Sequence, residues 1–87
     1  MAPEAAKELA IQALAYLASE PERIAPFFAS AGIEPSEIRA VAREPAFLAG
    51  VLDYLTANEP LLLGFAEEAG CDPMLVAGAR ATLAGQD

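Results

Sequence analysis

Few side chains in this sequence are of a type that could do chemistry, and their spacing limits how far each can be taken. Asp53 stands beside Tyr54 and is the single charge between residues 45 and 58. Acid–base catalysis by paired carboxylates would need a second acid nearby in space. The helical neighbours of Asp53 are Ala46, Gly50 and Ala57, so the spacing predicts a solvated residue on a small-residue outer face. Cys71 is the lone cysteine, and histidine is absent. A metal site needs several Cys or His ligands, and cysteine catalysis usually needs a partnering base. No catalytic residue, metal ligand or cofactor is therefore expected, and Cys71 reads as a small hydrophobe packed behind a helix stop. Arg39 and Arg43 lie one turn apart and could take an anion, but complementing the negative end of their helix accounts for both.

The acids are the next candidates. Thirteen Asp and Glu against five Lys and Arg leave a net charge of −8. Glu20, Glu34, Glu44, Glu59 and Asp72 fall at helix starts, and Glu4, Glu22 and Glu37 in first turns, where each meets the positive end of a helix dipole for ~0.3–1 kcal/mol. The acidity is thus mainly structural, with mimicry of nucleic acid toward a basic partner as a lesser reading that predicts salt-sensitive binding. Five scattered basic residues cannot displace counterions from a duplex, so nucleic acid is not an expected partner. Anionic membrane surfaces are disfavoured likewise. No apolar run reaches ~18 residues, and the N-terminus lacks a secretory pattern. One cysteine permits no internal disulfide. A cytoplasmic location is the expectation.

These residues must be positioned by helices, and the helix starts are legible. Proline follows an acid at residues 21, 35, 45, 60 and 73, and Pro3 opens the chain. Proline suits the first helical turn, where its missing N–H costs nothing. Ser19 with Glu22 and Glu34 with Glu37 have capping-box spacing. Gly32, Gly70 and Gly85 suit the left-handed position past a helix end. Helices are predicted over about 3–18, 20–30, 35–43, 45–57, 59–69 and 73–84, with no strand. The fold class is all-α: one compact bundle of five or six short helices spanning 1–87. The dense apolar stretch 47–65 supplies its centre, through the helices at 47–57 and 59–69. Pro26 predicts either a kink in the second helix or a later start.

A shift of 38 residues superimposes a candidate internal repeat, 9–42 on 47–80. Leu14, Tyr16 and Leu17 fall on Leu52, Tyr54 and Leu55; Phe27 falls on Phe65; Gly32 and Pro35 fall on Gly70 and Pro73. Two pseudo-symmetric three-helix halves should then pack face to face about an approximate twofold axis, because neither half buries its apolar side alone.

The apolar surplus is the best functional lead. Leu61, Leu62 and Leu63 are consecutive and span about 200° of a helix, more than one core stripe can take. Met74 lies off the stripe of Leu75, Val76, Ala79 and Leu83. Leu61, Leu63 and Met74 are the candidate partner-binding residues of an exposed apolar patch, although a bundle enclosing the fifth helix would bury all three. The expected function is a non-enzymatic protein-interaction module, binding a protein partner or itself. The alternative is a small-molecule-binding protein using a cleft near Asp53 and Tyr54.

Several segments carry a family resemblance: Leu14-Ala15-Tyr16-Leu17, Gly32-Ile33-Glu34-Pro35, Pro45-Ala46-Phe47-Leu48, Val51-Leu52-Asp53-Tyr54-Leu55 and Glu59-Pro60-Leu61-Leu62-Leu63. From about Ala5 to Leu83 the chain resembles a family of short, Ala-rich bacterial domains of unknown function found chiefly in alphaproteobacteria. Pro26 departs from the polar or basic residue expected there. The resemblance implies a helical fold and brings no activity, cofactor, partner or site residue.

Overall fold

Backbone ahead of proline is driven out of the helical region, and this sets the helix starts. Glu20, Glu34, Glu44 and Asp72 are held extended, with ψ between 129° and 147°. The structure, a computed structural model, describes residues 1–85. Helices follow as α1 (Pro3–Ala18), α2 (Pro21–Ala31), α3 (Ile38–Val41), α4 (Pro45–Thr56), α5 (Glu59–Ala69) and α6 (Pro73–Ala84), and no strand occurs among the described residues. None of these helices is long and apolar enough to cross a membrane. Before α5 the cap is Asn58, and Pro60 takes the second helical position.

Caps and stops follow the pattern in part. Asp72 accepts the Met74 N–H at 2.8 Å, and the Glu34 N–H donates to the Glu37 carboxylate at 3.0 Å. Ser19 does not open α2; it closes α1, its hydroxyl donating to the Tyr16 carbonyl at 2.7 Å. Gly32 and Gly70 adopt φ of 69° and 70°. In each case the next N–H reaches back across the last turn, Ile33 to the Phe28 carbonyl at 3.2 Å and Cys71 to that of Ala66 at 2.9 Å. This closure satisfies a carbonyl that the helix end leaves over. Gly85 differs from the expectation, with φ at −84°.

Three further expectations are corrected. The third helix, expected over 35–43, is a 3₁₀ turn at Pro35–Glu37 followed by only four α-helical residues. The extended backbone needed at Glu44, ahead of Pro45, ends it early. The second helix does not start late. It runs unbroken through Pro26, which lies exposed, so the carbonyl left without its usual donor can turn to solvent.

The centre is also different: α4 packs along α6, and both pack on α1, while α5 lies to the side. α5 fully buries only Phe65 and Ala66, whereas α6 buries Val76, Ala79 and Leu83 in a narrow stripe that fits between its neighbours. Leu75, placed by periodicity on that stripe, is exposed. The core is apolar throughout, with Leu17, Leu48, Val51, Leu52 and Leu55 completely enclosed and no polar or charged side chain buried among the described residues. Each fully buried Leu or Val contributes about 1.5–3 kcal/mol. The molecule is flat, 30 × 29 × 17 Å, so its edges hold clefts between helices that nothing covers.

Candidate functional site

One of these clefts opens between α2 and α4, beside α3. Phe27 anchors its wall. It is buried where α2 crosses α4, and it packs edge-on against Tyr54 (5.3 Å between ring centroids, 69°) and Phe47 (5.8 Å, 67°), geometries that place a ring edge on a ring face. The left-handed turn at Gly32 folds Ile33 back to extend this wall, and Val41 of α3 closes the far side.

The floor is the small face of α4. Ala46, Gly50, Asp53 and Ala57 recur at helical spacing and all line the cleft. Sequence periodicity placed that stripe on the solvent side, and it is indeed uncovered. Its small residues leave a recess of about 570 Å³. A cleft this size has room for one or two side chains of a binding partner. The signal available in advance was a run of small side chains facing away from the core, which is also what a plain outer face looks like.

The cleft's charge is one-sided. Glu44 and Asp53 line it and no lysine or arginine does. Asp53 is 63% exposed and accepts a hydrogen bond from Arg80 Nε at 2.7 Å. The structure thus brings Asp53 and Tyr54 into one cleft while leaving the carboxylate in water, where an ion pair is weak and easily exchanged.

A smaller cleft of about 300 Å³ lies between α1 and α5. Tyr16 packs there on Phe65 at 5.6 Å and 59°. The Arg23 guanidinium sits 4.2 Å from the Tyr16 ring centroid, while its Nη1 donates to the Tyr16 carbonyl at 3.3 Å and to Ser19 Oγ at 3.2 Å.

The candidate partner-binding residues divide. Leu63 is 51% and Met74 76% exposed, but Leu61 is half-buried against the core. None of the three lines either cleft. Cys71 is half-buried in the same packing, and no cluster of three or more potential metal ligands occurs among the described residues. Arg39 and Arg43 are both exposed.

A family model described as a protein of unknown function, DUF3572, matches residues 3–86. No curated protein and no solved structure matches the chain.

Proposed function

The chain belongs to the DUF3572 family, whose description assigns no activity, and we propose that it is a non-enzymatic interaction module. Its docking site is the α2–α4 cleft, and its ligand is a segment of a partner protein that presents an apolar or aromatic side chain flanked by lysine or arginine. The observation that carries this reading is the pairing of an aromatic, uncovered recess with two lining carboxylates, Glu44 and Asp53, the second of them in contact with Arg80. The apolar side chain supplies affinity by leaving water, and the flanking cation supplies steering and selectivity toward a protein of net charge −8. Arg80 already holds Asp53, so an incoming cation joins or replaces a contact of the same kind.

A small-molecule ligand is the second reading, favoured by the presence of Asp53 and Tyr54 in one cleft. The exposure of Asp53 weighs against it, because small ligands are usually fixed by polar groups enclosed with them.

Gly50 offers a clean test. A Cβ built there meets nothing within 4 Å, so a side chain at this position starts into open space, and Gly50→Leu should occupy the cleft. A nuclear magnetic resonance titration with the blocked tetrapeptide Lys-Phe-Leu-Arg should give saturable shifts at Phe27, Ser30, Gly50 and Asp53. In Gly50→Leu the affinity should fall at least tenfold with helical content unchanged. Equal affinity in both proteins would place the site elsewhere.

A further inference from the structure

The two clefts are related to one another by the same register that links the halves of the sequence. All seven residues lining the α1–α5 cleft have a counterpart 38 positions away among those lining the α2–α4 cleft. Tyr16 answers to Tyr54, Phe65 to Phe27, and Gln12 to Gly50. The aromatic contacts are reciprocal: Tyr16 of the first half packs on Phe65 of the second, and Tyr54 of the second packs on Phe27 of the first. Such an exchange of partners is the signature of a twofold, isologous contact. The closures at Gly32 and Gly70, which bring the chain back at the end of α2 and α5, keep the same register. Burial keeps it through the first two helices of each half, with Ala13, Leu14, Leu17 and Phe27 buried like Val51, Leu52, Leu55 and Phe65, and departs from it at the third, where α6 buries Val76, Ala79 and Leu83 and α3 buries nothing.

We propose that the helix pairs α1–α2 and α4–α5 are duplicates of one another and that the α1–α5 cleft is a second docking site for the same class of segment, making the domain bivalent. The inference rests on the docking reading of the larger cleft. The smaller cleft has the same tyrosine–phenylalanine wall and a carboxylate of its own, Glu68. Arg23 shows the chemistry of its edge in place, a guanidinium laid on the tyrosine ring and hydrogen-bonded to the helix end.

The differences between the sites predict their ranking. Gln12 stands where the larger cleft has Gly50, and narrows the recess. Arg23 stands where the other half has Leu61, and it lays a guanidinium, 3.7 Å from the Glu20 carboxylate, on the tyrosine of the smaller cleft's own wall, whereas Arg80 meets the larger cleft at Asp53. The smaller site should therefore bind a basic segment several-fold more weakly. Arg23→Leu, which copies Leu61, should narrow that gap.

The test is the titration with blocked Lys-Phe-Leu-Arg, run on the native chain, Gly50→Leu, Ala15→Phe and Arg23→Leu. Ala15 is exposed on the rim of the smaller cleft, so a larger side chain there closes the recess from outside. The expected result is two sets of saturable shifts. One, at Tyr16, Phe65 and Glu68, should survive Gly50→Leu and vanish in Ala15→Phe, and Arg23→Leu should tighten it two- to fivefold. Shifts confined to the larger cleft would overturn the second site while leaving the first standing. Loss of both sets in either blocking variant would mean a single site sensed at a distance, and would also overturn the proposal. No shifts anywhere would overturn the docking reading itself. If Ala15→Phe loses helical content, Glu68→Lys serves instead, and should weaken the second set alone.

Discussion

Gly64 is the residue where local propensity and tertiary contact oppose one another most plainly. It lies within α5, where replacing glycine by alanine ordinarily gains about 1 kcal/mol. A Cβ there would collide with the Tyr16 hydroxyl. That ring cannot step aside cheaply, because Phe65 and Arg23 hold it. Overpacking of this kind costs about 1–3 kcal/mol. Gly64→Ala should therefore be net destabilising in a denaturant melt, while Gly78→Ala, which meets open space, should stabilise. Adding Tyr16→Phe to Gly64→Ala should restore stability, because the ring Cζ stays 3.6 Å away, an ordinary contact. Equal gains from Gly64→Ala and Gly78→Ala would show that the Tyr16 ring is not fixed. The Asp53–Arg80 pair is a weaker matter. Its side chains are 63% and 45% exposed, so a double-mutant cycle should return less than about 1 kcal/mol, smaller still in high salt. A coupling well above that would mean Asp53 is held for a purpose beyond docking.

At the scale of elements, Pro26 is the point of tension. The helix continues through it because the side chain faces solvent, but the usual hydrogen bond to the preceding turn is missing. Pro26→Ala should raise stability by about 1–3 kcal/mol, less than the full ~3 kcal/mol of an interior proline because the unfolded chain regains freedom. A loss of stability instead would show that the proline ring packs where it looks exposed. The helix starts were legible because acid–proline pairs constrain backbone locally, and the stops at Gly32 and Gly70 because a left-handed turn needs glycine. Their failures have local causes as well. Gly85 is not left-handed, and α3 is cut short by the extended residue before Pro45. What periodicity could not supply was the partner of each apolar face. Leu75 and Leu83 look alike in a helical pattern, and only packing against α1 and α4 separates the exposed one from the buried one.

For the whole molecule, a thin chain of 87 residues has one apolar core and little reserve. Leu52→Ala, at a fully enclosed site, should cost about 2–5 kcal/mol and leave the fold barely stable. Leu63→Glu should stay within ~0.5 kcal/mol of the native chain in the same melts, because half of that side chain is already in water. A collapse of Leu63→Glu would put α5 in the core after all. The cleft itself was the least legible feature. Its residues, Phe27, Val41, Gly50 and Tyr54, come from three helices and look like core, spacer and rim when taken one at a time. The most direct measurement is affinity capture of the tagged chain from lysate of its own host, with the native protein beside Gly50→Leu and Leu63→Glu. The α2–α4 cleft as docking site predicts a stoichiometric protein partner that Leu63→Glu retains and Gly50→Leu loses. A partner lost with Leu63→Glu and kept by Gly50→Leu would contradict it and move the interface to the exposed face of α5.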